Sequence, residues 1–324
     1  MVADASRRAS EALVLPAEQL LALLDLEAAV AAVRAAAIAQ AQAPVPAQKV
    51  HAPVGAGSAV ALLPGLLPDI PAYTVKVNAK FPSEQPPIRG VVCLHDRADG
   101  ALLALLDSSI VTAVRTGALA AAAADVLARP DARALAVVGA GQQNTMAVRA
   151  LTALRCVTSV AVYDIEASRA RRFAAAAGLL ADTQVAASAR EACADADYVF
   201  VATWPREPVV RLADVRPGAH VSSVGADELG KEELGRDLLR AGRLFVDDRE
   251  LALRAGAVGS AGLDERAIAG EVAALFSGAW RGRFSANDIT VFSSVGLPWQ
   301  DVAVAWLLYD AALVAGAGVR VALG

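Results

Sequence analysis

The second half of the chain alternates short apolar runs with longer segments of helical periodicity. From Ala132 onward the apolar runs are Ala134–Val138, Ser159–Tyr163, Tyr198–Ala202, Ala219–Val224 and Leu244–Val246. Continuous apolar runs of this length are typical of strands buried on both faces, as in a parallel sheet covered by helices. Helical periodicity lies between them, for example over Ala167–Ala177 and Lys231–Ala241. The alternation predicts an α/β fold with a doubly wound parallel sheet.

The first part of the chain has a different pattern. An amphipathic helix is predicted over Ala17–Gln40, before the prolines at 44 and 46. Short β-like runs follow at Ser58–Leu63, Ala72–Asn78, Gly90–His95 and Ala101–Asp107. The last two flank Asp99-Gly100, a pair that favours a tight hairpin, and tight turns join antiparallel strands. This part is therefore predicted to be an α+β domain with a mixed or antiparallel sheet.

The end of the chain returns to a single strand-and-helix unit. A run at Ile289–Ser294 is followed by a helical segment, Trp299–Ala315. We expect this last helix to pack on the domain formed by the first part of the chain.

Composition and charge restrict the class of protein. The 324 residues are 56% hydrophobic and 20% charged, which is enough apolar material for two domains and argues against disorder. The net charge is -4, and no Lys/Arg cluster suggests nucleic-acid binding. The longest uncharged stretch, Val50–Pro68, contains three prolines and three glycines, which a membrane-spanning helix would not carry. We therefore expect a cytoplasmic protein that binds neither nucleic acid nor membrane.

The cysteines and histidines show no spacing typical of a metal site or a disulfide framework. The three cysteines and three histidines are dispersed along the chain, at Cys93, Cys156, Cys193, His51, His95 and His220. Scattered thiols fit a reducing compartment, where they pack as small apolar side chains. No metal is expected.

A glycine motif ends the first apolar run of the second half. The sequence Gly139-Ala140-Gly141 leads directly into a helical segment. In a dinucleotide-binding loop the first glycine makes a tight turn and the second lets the pyrophosphate approach the start of the helix. Asn144 occupies the position of the third glycine, which serves only helix–strand packing. The strand–turn–helix context predicts a dinucleotide cofactor.

An acidic residue follows the next predicted strand. Asp164 lies 23 residues after Gly141, where a carboxylate accepts the ribose 2′-hydroxyl of NAD and repels the phosphate of NADP. The nearby arginines at 169, 171 and 172 could instead serve that phosphate or simply form a solvated helix face. NAD is therefore the predicted cofactor, with NADP as the alternative.

Two segments of the first domain carry candidate substrate-binding residues. Lys76 lies among apolar strand residues, where a lysine is costly unless it is paired or used, although an edge-strand lysine can also prevent aggregation. Arg115 and Thr116 are interpreted as lying directly before a helix, where an arginine beside free N–H groups would bind a carboxylate or phosphate. An ordinary surface charge is the other interpretation of Arg115.

A third candidate follows a predicted parallel strand. Asp227 lies beyond the carboxyl end of that strand, where open α/β sheets bind ligands. It also lies ahead of a predicted helix, so it could equally be an N-cap. Spacing alone does not separate a catalytic acid from a helix cap.

Taken together, these segments resemble the ornithine cyclodeaminase/μ-crystallin family from about Leu15 to Ala315. The motifs are "VKVN", "DGALLALLDSSIVTAVRTGALAA", "VVGAGQQ", "ADYVFVAT", "SSVGADELGKEEL" and "ITVFSSVG". The resemblance implies a Rossmann domain, residues 118–296, inserted into an α+β substrate-binding and dimerisation domain made of residues 1–117 and 297–324. It also implies a homodimer that acts on a small amino-acid or imine substrate.

The resemblance assigns roles to individual residues. Lys76 matches the lysine that meets the substrate carboxylate or reacting nitrogen, and Arg115 matches the carboxylate-binding arginine. Asp227 matches the acid that handles the proton of the amine or imine. Thr116 and Lys231 match residues near the cofactor. The complete set implied at the cofactor is Arg115, Thr116, Gly139, Ala140, Gly141, Gln142, Gln143, Asp164, Thr203, Val224, Gly225, Lys231 and Ser294.

The sequence departs from the family pattern at several positions. Lys49 replaces a further arginine and keeps its charge but not its fork geometry. Ala61 replaces the glutamate that holds the distal amine in ornithine- and lysine-cyclising members. Trp204 and the pair Pro298-Trp299 suggest a reshaped pocket.

These features predict an NAD(P)-dependent reductase or dehydrogenase that acts on an imine or an α-amino acid. Arg115 and Lys49 would hold the substrate carboxylate. Lys76 would polarise or protonate the substrate, and Asp227 would exchange a proton with the substrate nitrogen. A cyclodeaminase with recycled NAD is the first alternative, against which Ala61 counts. A non-catalytic small-molecule binding protein is the second alternative.

Overall fold

The computed structural model describes residues 11–48, 50–55, 58–81, 88–178 and 180–322. The chain divides into two compact units. The first unit comprises Met1–Arg115 and Leu297–Gly324, and the second comprises Thr116–Gly296. Each unit is built around its own sheet.

The strands of the described residues are, in chain order, β1 (Glu11–Leu15), β2 (Val50–Gly55), β3 (Ser58–Leu66), β4 (Ala72–Lys80), β5 (Ile88–Asp96), β6 (Leu102–Asp107), β7 (Ala134–Val138), β8 (Ser159–Tyr163), β9 (Asp182–Val185), β10 (Tyr198–Val201), β11 (His220–Ser223), β12 (Arg243–Val246), β13 (Ile268–Glu271), β14 (Thr290–Ser293) and β15 (Val319–Ala322). The α-helices are α1 (Ala17–Ala22), α2 (Leu26–Gln42), α3 (Ser108–Leu127), α4 (Gln142–Leu154), α5 (Ala167–Ala177), α6 (Ala189–Cys193), α7 (Arg236–Ala241), α8 (Arg249–Ala255), α9 (Ala257–Ser260), α10 (Val272–Phe276) and α11 (Pro298–Ala315).

The sheet of the first unit is mixed, as the hairpin signals predict. Its order is β15-β1-β6-β5-β4-β3-β2, and the pairs are antiparallel except for β1 beside β6. β5 and β6 form the expected hairpin, and Gly100 in its turn has φ +78°, which glycine adopts without strain. The two ends of the chain meet in this sheet, because β15 pairs with β1.

The prediction of a single helix over Ala17–Gln40 is wrong in detail. The segment forms α1 and α2, and the break lies at Leu23–Asp25. The side chain of Asp25 accepts a hydrogen bond from the backbone N–H of Ala28 at 3.0 Å and so caps the second helix. An N-cap residue has extended backbone geometry, which interrupts a continuous helix at that position.

The final helix covers one face of this sheet. α11 packs on β3, β4 and β5, as expected for a segment that returns to the first domain. A close approach is possible because β3 carries Gly65, where a Cβ atom would lie only 2.5 Å from the carbonyl oxygen of Pro298. On β4, Ala72, Thr74 and Lys76 are buried on the face toward the helix.

The second unit contains the predicted doubly wound sheet. Its order is β13-β12-β14-β11-β10-β7-β8-β9, and every pair is parallel. The strand order reverses between β7 and β10, which is the switch point of a Rossmann fold. β9 and β13 are not predicted from the sequence, because "DTQV" and "IAGE" are short and mixed in polarity. The predicted helix Lys231–Ala241 is shorter than expected, since α7 begins only at Arg236.

One helix of the described residues has the length and apolar composition of a membrane span. This helix is α3, and 89% of its most apolar window is buried inside the protein. A core helix has the same length and composition, so the feature is weak evidence for a membrane segment.

Candidate active site

The cofactor candidates of the second unit lie along one edge of its sheet. Parallel strands all end at the same edge, so residues that follow different strands are brought together there. The motif 139–141 follows β7, and the other candidates follow β8, β10, β11 and β14, namely Asp164, Thr203, Val224, Gly225 and Ser294. This edge includes the switch point between β7 and β10.

The glycine motif has the geometry that close backbone approach requires. Gly139 has φ +93°, and a Cβ there would lie 2.4 Å from the carbonyl oxygen of Ala202. Gly141 is the N-cap of α4, and a Cβ at that position would meet no atom within 4 Å. Gln142 and Gln143 form the first helical residues. The start of α4 thus combines open space with helix N–H groups, which suits a phosphate.

Asn144 takes over the packing role of the third glycine. It is fully buried, and its side-chain amide donates hydrogen bonds to the carbonyl oxygens of Val138 at 3.1 Å and Gly139 at 2.7 Å. A longer bond of 3.4 Å reaches the carbonyl oxygen of Phe200 on β10. The amide therefore fastens α4 to the ends of both strands at the switch point.

Asp164 is joined to the glycine motif itself. One carboxylate oxygen accepts a hydrogen bond from the N–H of Ala140 and the other from the N–H of Glu166, both at 2.8 Å. Arg169 pairs with Glu166 at 2.8 Å, whereas Arg171 and Arg172 are exposed on α5. The carboxylate is thus the anionic group held directly against the turn.

A buried glutamate connects the loops that follow β10 and β11. One oxygen of Glu233 accepts hydrogen bonds from the N–H and hydroxyl of Thr203, at 2.5 and 3.0 Å. The other accepts from the hydroxyl of Ser223 at 2.6 Å and the N–H of Gly225 at 2.9 Å. Burial raises the pKa of Glu233, although these donors oppose the shift. The sequence prediction missed this residue, since "KEEL" reads as a solvated helix start.

The loop after β14 is held in a similar way. The hydroxyl of Ser294 donates to Asp247 at 2.6 Å, and the N–H groups of Val295 and Gly296 point at the same carboxylate at 3.1 and 3.2 Å. Asp247 follows β12 and was also missed. Its place directly after an apolar strand run was the signal that could have found it.

The structure excludes the N-cap interpretation of Asp227. α7 begins at Arg236 with Gly235 as its N-cap, so Asp227 lies in the loop after β11 and caps no helix. Its carboxylate forms an ion pair with Lys231. The Lys231 ammonium also lies 3.6 Å from the carboxylate of Glu228 and 5.9 Å from the centroid of the Trp204 ring. The two candidates of this loop are thus in direct contact with each other.

The first unit brings two candidate cations to one carboxylate. The ammonium of Lys76 lies 2.6 Å from Asp301, and the guanidinium of Arg115 lies 3.5 Å from the other oxygen of the same carboxylate. Arg115 also donates to the side-chain oxygen of Gln300 at 2.8 Å. All of these side chains are buried. Gln300 and Asp301 were not predicted as site residues.

The predicted position of Arg115 and Thr116 before a helix is wrong. α3 begins at Ser108, and Asp107 accepts hydrogen bonds from the N–H groups of the first turn. Arg115 and Thr116 therefore lie inside the helix, where N–H groups are already bonded. Arg115 offers its guanidinium alone, without the helix N-terminus that was expected beside it. Lys49 lies outside the described residues.

Further polar groups surround the same region of the sheet. Ala61 on β3 is directly opposite Asn78 on β4, so both lie on the face that carries Lys76. A Cβ at Gly90 would lie 2.9 Å from both the Asn78 side-chain oxygen and the Ser108 hydroxyl. The face beside Lys76 therefore carries polar groups together with Ala61, the position at which the sequence resemblance predicts the glutamate of cyclising members.

The chain belongs to the ornithine cyclodeaminase/mu-crystallin family, whose sequence profile matches residues 14–316. Ketimine reductase mu-crystallin of Mus musculus is 34% identical over 239 residues, which cover 74% of this chain and 73% of that protein. The resemblance inferred from the motifs is thereby confirmed.

Two solved structures have the same fold over nearly the whole chain. One is the Δ1-pyrroline-2-carboxylate reductase of Thermococcus litoralis in complex with NADH and L-proline. It has a TM-score of 0.90 and 31% identity, and the match covers 95% of this chain and 100% of that one. The other is an archaeal alanine dehydrogenase dimer with bound NAD. It has a TM-score of 0.89 and 28% identity, and the match covers 96% and 99% of the two chains.

Proposed function

We propose that this protein is an NAD-dependent reductase or dehydrogenase that acts on an imine or α-amino acid carrying a carboxylate. The observation that carries the proposal is the buried cluster in which Lys76 and Arg115 share the single carboxylate of Asp301. Ammonium and guanidinium groups are the side chains that bind carboxylates, and here two of them are held at one place by the same residue. The similar enzymes, among them a pyrroline-2-carboxylate reductase and a ketimine reductase, support this class of substrate.

The residues at the edge of the Rossmann sheet fit a dinucleotide. Gly141 leaves space at the start of α4, so the backbone of Gln142 and Gln143 would hold the pyrophosphate. Asp164 would accept a ribose hydroxyl, which favours NAD over NADP. Thr203, Val224, Gly225 and Ser294 would complete the site, with their loops fixed by Glu233 and Asp247. When bound, the nicotinamide supplies or accepts the hydride.

The first unit would bind the substrate through its charge. Arg115 is proposed to hold the substrate carboxylate, because a guanidinium matches a carboxylate with two parallel hydrogen bonds. Lys76 would polarise the substrate or donate a proton to it from its fixed place on β4. Lys49 is proposed as a second cation for the carboxylate, and Thr116 as a further cofactor contact.

Asp227 is proposed as the acid or base that exchanges a proton with the substrate nitrogen. Its pairing with Lys231 keeps the carboxylate in one orientation within a loop. Reduction of an imine needs a proton on nitrogen, and oxidation of an amine needs its removal. A carboxylate beside a lysine can perform both steps.

We further propose a homodimer, as in the similar archaeal alanine dehydrogenase. On β3, Leu62 and Leu66 are 39% and 36% exposed on the face opposite Lys76. Val75 and Val77 of β4 are only half-buried on that same face. An apolar sheet surface of this kind is typical of a subunit interface. Light scattering coupled to size exclusion should give twice the chain mass, and Val75→Arg should reduce it to the monomer.

A cofactor assay tests the proposed function. The purified protein would be mixed with NADH or NADPH and a panel of cyclic imine carboxylates, or of 2-oxo acids with ammonia or methylamine. Oxidation of the cofactor is followed at the nicotinamide absorbance. Turnover that requires the carboxylate of the substrate is the expected result. Tight cofactor binding without turnover of any member of the panel would instead favour a non-catalytic binding protein.

A further inference from the structure

The carboxylate of Glu233 accepts hydrogen bonds from two separate loops at the cofactor edge of the Rossmann sheet. The side chain is fully buried. Its two oxygens have matching partners, because each accepts from one hydroxyl and one backbone N–H. One N–H belongs to Thr203, in the loop after β10, and the other to Gly225, in the loop after β11. A single side chain thus bonds the backbone of both loops.

The bond to Gly225 also closes the loop that carries Asp227. Glu233 comes eight positions after Gly225, so its side chain joins the end of this loop to its beginning. Within the loop, the N–H of Asp227 donates to the carbonyl oxygen of Gly225 at 3.1 Å, and the Asp227 carboxylate pairs with Lys231. The proposed acid or base therefore lies in a closed segment whose two ends meet at Glu233.

The backbone around Glu233 is bonded to the neighbouring loop as well. The carbonyl oxygen of Glu233 accepts hydrogen bonds from the N–H groups of Val209 and Val210, at 3.0 and 3.1 Å. The N–H of Glu232 donates to the carbonyl oxygen of Pro205 at 3.1 Å. These bonds fix the backbone from which the carboxylate extends, so the side chain can hold the two loops in place.

The two loops touch where Glu233 binds them. A Cβ at Gly225 would collide with the backbone of Thr203 and with the carboxylate of Glu233 itself. Glycine therefore allows a contact that a larger residue would prevent. Because the loops are this close, a shift of one would displace the other.

The four donors require an ionised carboxylate. A backbone N–H can donate a hydrogen bond but cannot accept one. In Glu233→Gln the amide nitrogen would face the N–H of Thr203 in one orientation and the N–H of Gly225 in the other. Either orientation places two donors against each other in a buried site, where an unmade hydrogen bond is costly. Glutamine has nearly the same size, yet it cannot replace this glutamate.

We infer that Glu233 is a positioning residue whose ionised carboxylate closes the Asp227 loop and joins it to the loop of Thr203 before the cofactor binds. The inference rests on the proposed function, because it takes Thr203 and Gly225 as cofactor contacts and Asp227 as the acid or base. Glu233 itself would touch neither substrate nor cofactor. It would act through the two loops, by keeping the cofactor contacts and the proton-exchanging group in fixed positions relative to each other.

The first test uses the unaltered protein without ligand. Amide hydrogen exchange, resolved by NMR, reports whether the N–H groups of Thr203 and Gly225 are held. Both should exchange roughly tenfold or more slowly than the N–H of Leu229, a loop residue that is 68% exposed. Exchange as fast as that of Leu229 would contradict the inference.

The second test compares Glu233→Gln with Ser223→Ala. Ser223→Ala removes a donor that lies on β11 and leaves both loop N–H groups bonded. In Glu233→Gln the NADH affinity, measured by fluorescence titration, should fall about tenfold or more, because loops that are no longer held must be ordered when the cofactor binds. Ser223→Ala should lower the midpoint of thermal unfolding but bind NADH as the wild type does. Glu232→Gln, at a half-buried neighbour, controls for the loss of one negative charge.

The catalytic rate gives a readout that a purely stabilising residue would not change. At saturating NADH, in the assay of the proposed reaction, Glu233→Gln should still have a reduced kcat, because the loop that carries Asp227 is no longer closed. Ser223→Ala should keep the wild-type kcat, since its loop bonds remain.

The outcomes distinguish this inference from the proposed function. Equal NADH affinity and equal kcat in folded Glu233→Gln and Ser223→Ala would contradict the positioning role. If Glu233→Gln does not fold, the exchange rates of Thr203 and Gly225 in the unaltered protein decide. Absence of turnover in the wild type would count against the proposed function, whereas the exchange rates and the NADH affinity would still report on Glu233.

Discussion

Asn144 donates from its side-chain amide to the carbonyl oxygen of Gly139, 2.7 Å away, and so fastens the first turn of α4 to the turn after β7. A glycine at this position of the dinucleotide fingerprint allows the helix and strand to pack closely. In this protein the close approach of helix and strand lets the Asn144 amide also donate hydrogen bonds to the carbonyl oxygens of Val138 and Phe200. Asparagine at this position therefore holds the loop through side-chain hydrogen bonds, which glycine could not make.

Replacing Asn144 by glycine should destabilise the protein although it restores the fingerprint. The change removes buried hydrogen bonds, each of which contributes about 0.5–1.5 kcal/mol to stability. The midpoint of thermal unfolding should fall accordingly in a calorimetric scan. Gln143→Gly is the matched control, because it carries the same cost of glycine in a helix, about 1 kcal/mol, without the buried bonds. Equal midpoints for the two variants would show that the amide contributes nothing.

The cofactor preference should depend on Asp164. Asp164→Ser removes the charge that repels a 2′-phosphate, so the ratio of NADH to NADPH affinity should fall roughly tenfold or reverse. Asp164→Asn separates the effect of the charge from that of the hydrogen bond. Its amide oxygen can still accept a hydrogen bond from the N–H of Ala140, while the charge is lost. Fluorescence titration with both cofactors measures the ratio, and Glu166→Gln is the control. Tighter binding of NADPH by the unaltered protein would show that the exposed arginines of α5 decide the preference.

Asp227→Asn should reduce turnover while folding and cofactor binding persist. The loss of an acid or base of this kind typically lowers the rate by about 10²-fold or more. Glu228→Gln is a close control, because Glu228 also lies near the ammonium of Lys231, at 3.6 Å. The steady-state rate and the NADH affinity of each variant would be compared. If Asp227→Asn retained the wild-type rate, the Asp227–Lys231 pair would be a loop contact and no more.

Asp197 should stabilise the second unit in a pH-dependent way. Burial raises the pKa of Asp197, but hydrogen bonds from the N–H groups of Ala134 and Arg133 and from the guanidinium of Arg216 together lower it below its ordinary value. A lowered pKa means that the stabilisation is fully present above the unfolded-state value, about 3.9, and is lost as the pH falls through the folded-state value.

The corresponding variant is Asp197→Asn. Its deficit in thermal stability should be largest near neutral pH and should shrink as the pH is lowered below about 4, where the wild-type carboxylate also becomes protonated. Asp195→Asn, an exposed neighbour, should show little change at any pH. A deficit that stays constant down to acidic pH would mean that the charge of Asp197 is not the source of its stabilisation.

The alternating pattern of the second half predicted the Rossmann sheet well, since buried parallel strands are continuous apolar runs. β7 and β8 have the bounds that the sequence indicated. The start of α3 was predicted too late, because the helix was expected only after Arg115 and Thr116, whereas it begins at Ser108. Asp107 followed by two serines is a capping signal that could have placed the helix start eight residues before Thr116.

Residues that act through long-range contacts could not be predicted in this way. Gln300 and Arg115 are 185 positions apart, and only the return of α11 onto the first sheet brings them together. Glu233 is an acidic residue that its sequence context indicates as exposed, yet it is fully buried. Burial of the carboxylate is possible because four hydrogen-bond donors converge on it. Periodicity indicates which face of an element is buried, but not which polar groups meet there.

Ornithine and lysine should be poor substrates, whereas an imine carboxylate should be reduced. A cyclodeaminase must hold a distal ammonium, and a buried ammonium without a carboxylate partner costs several kcal/mol. The sequence resemblance assigns the position of that carboxylate to Ala61, which lies opposite Asn78 on the face that carries Lys76. Asp301 does not replace it, since its carboxylate already contacts Lys76 and Arg115.

The two reactions differ in their products and in the final redox state of the cofactor. Imine reduction consumes one NADH for each product molecule, whereas cyclodeamination releases ammonia and returns the cofactor unchanged. We therefore expect stoichiometric loss of nicotinamide absorbance with a cyclic imine carboxylate, and no proline or ammonia from ornithine incubated with NAD. Ala61→Glu tests the reason directly, because it supplies the missing carboxylate and should raise the affinity for ornithine. Ammonia release from ornithine by the unaltered protein would contradict the assignment and would require a different acid to hold the distal amine.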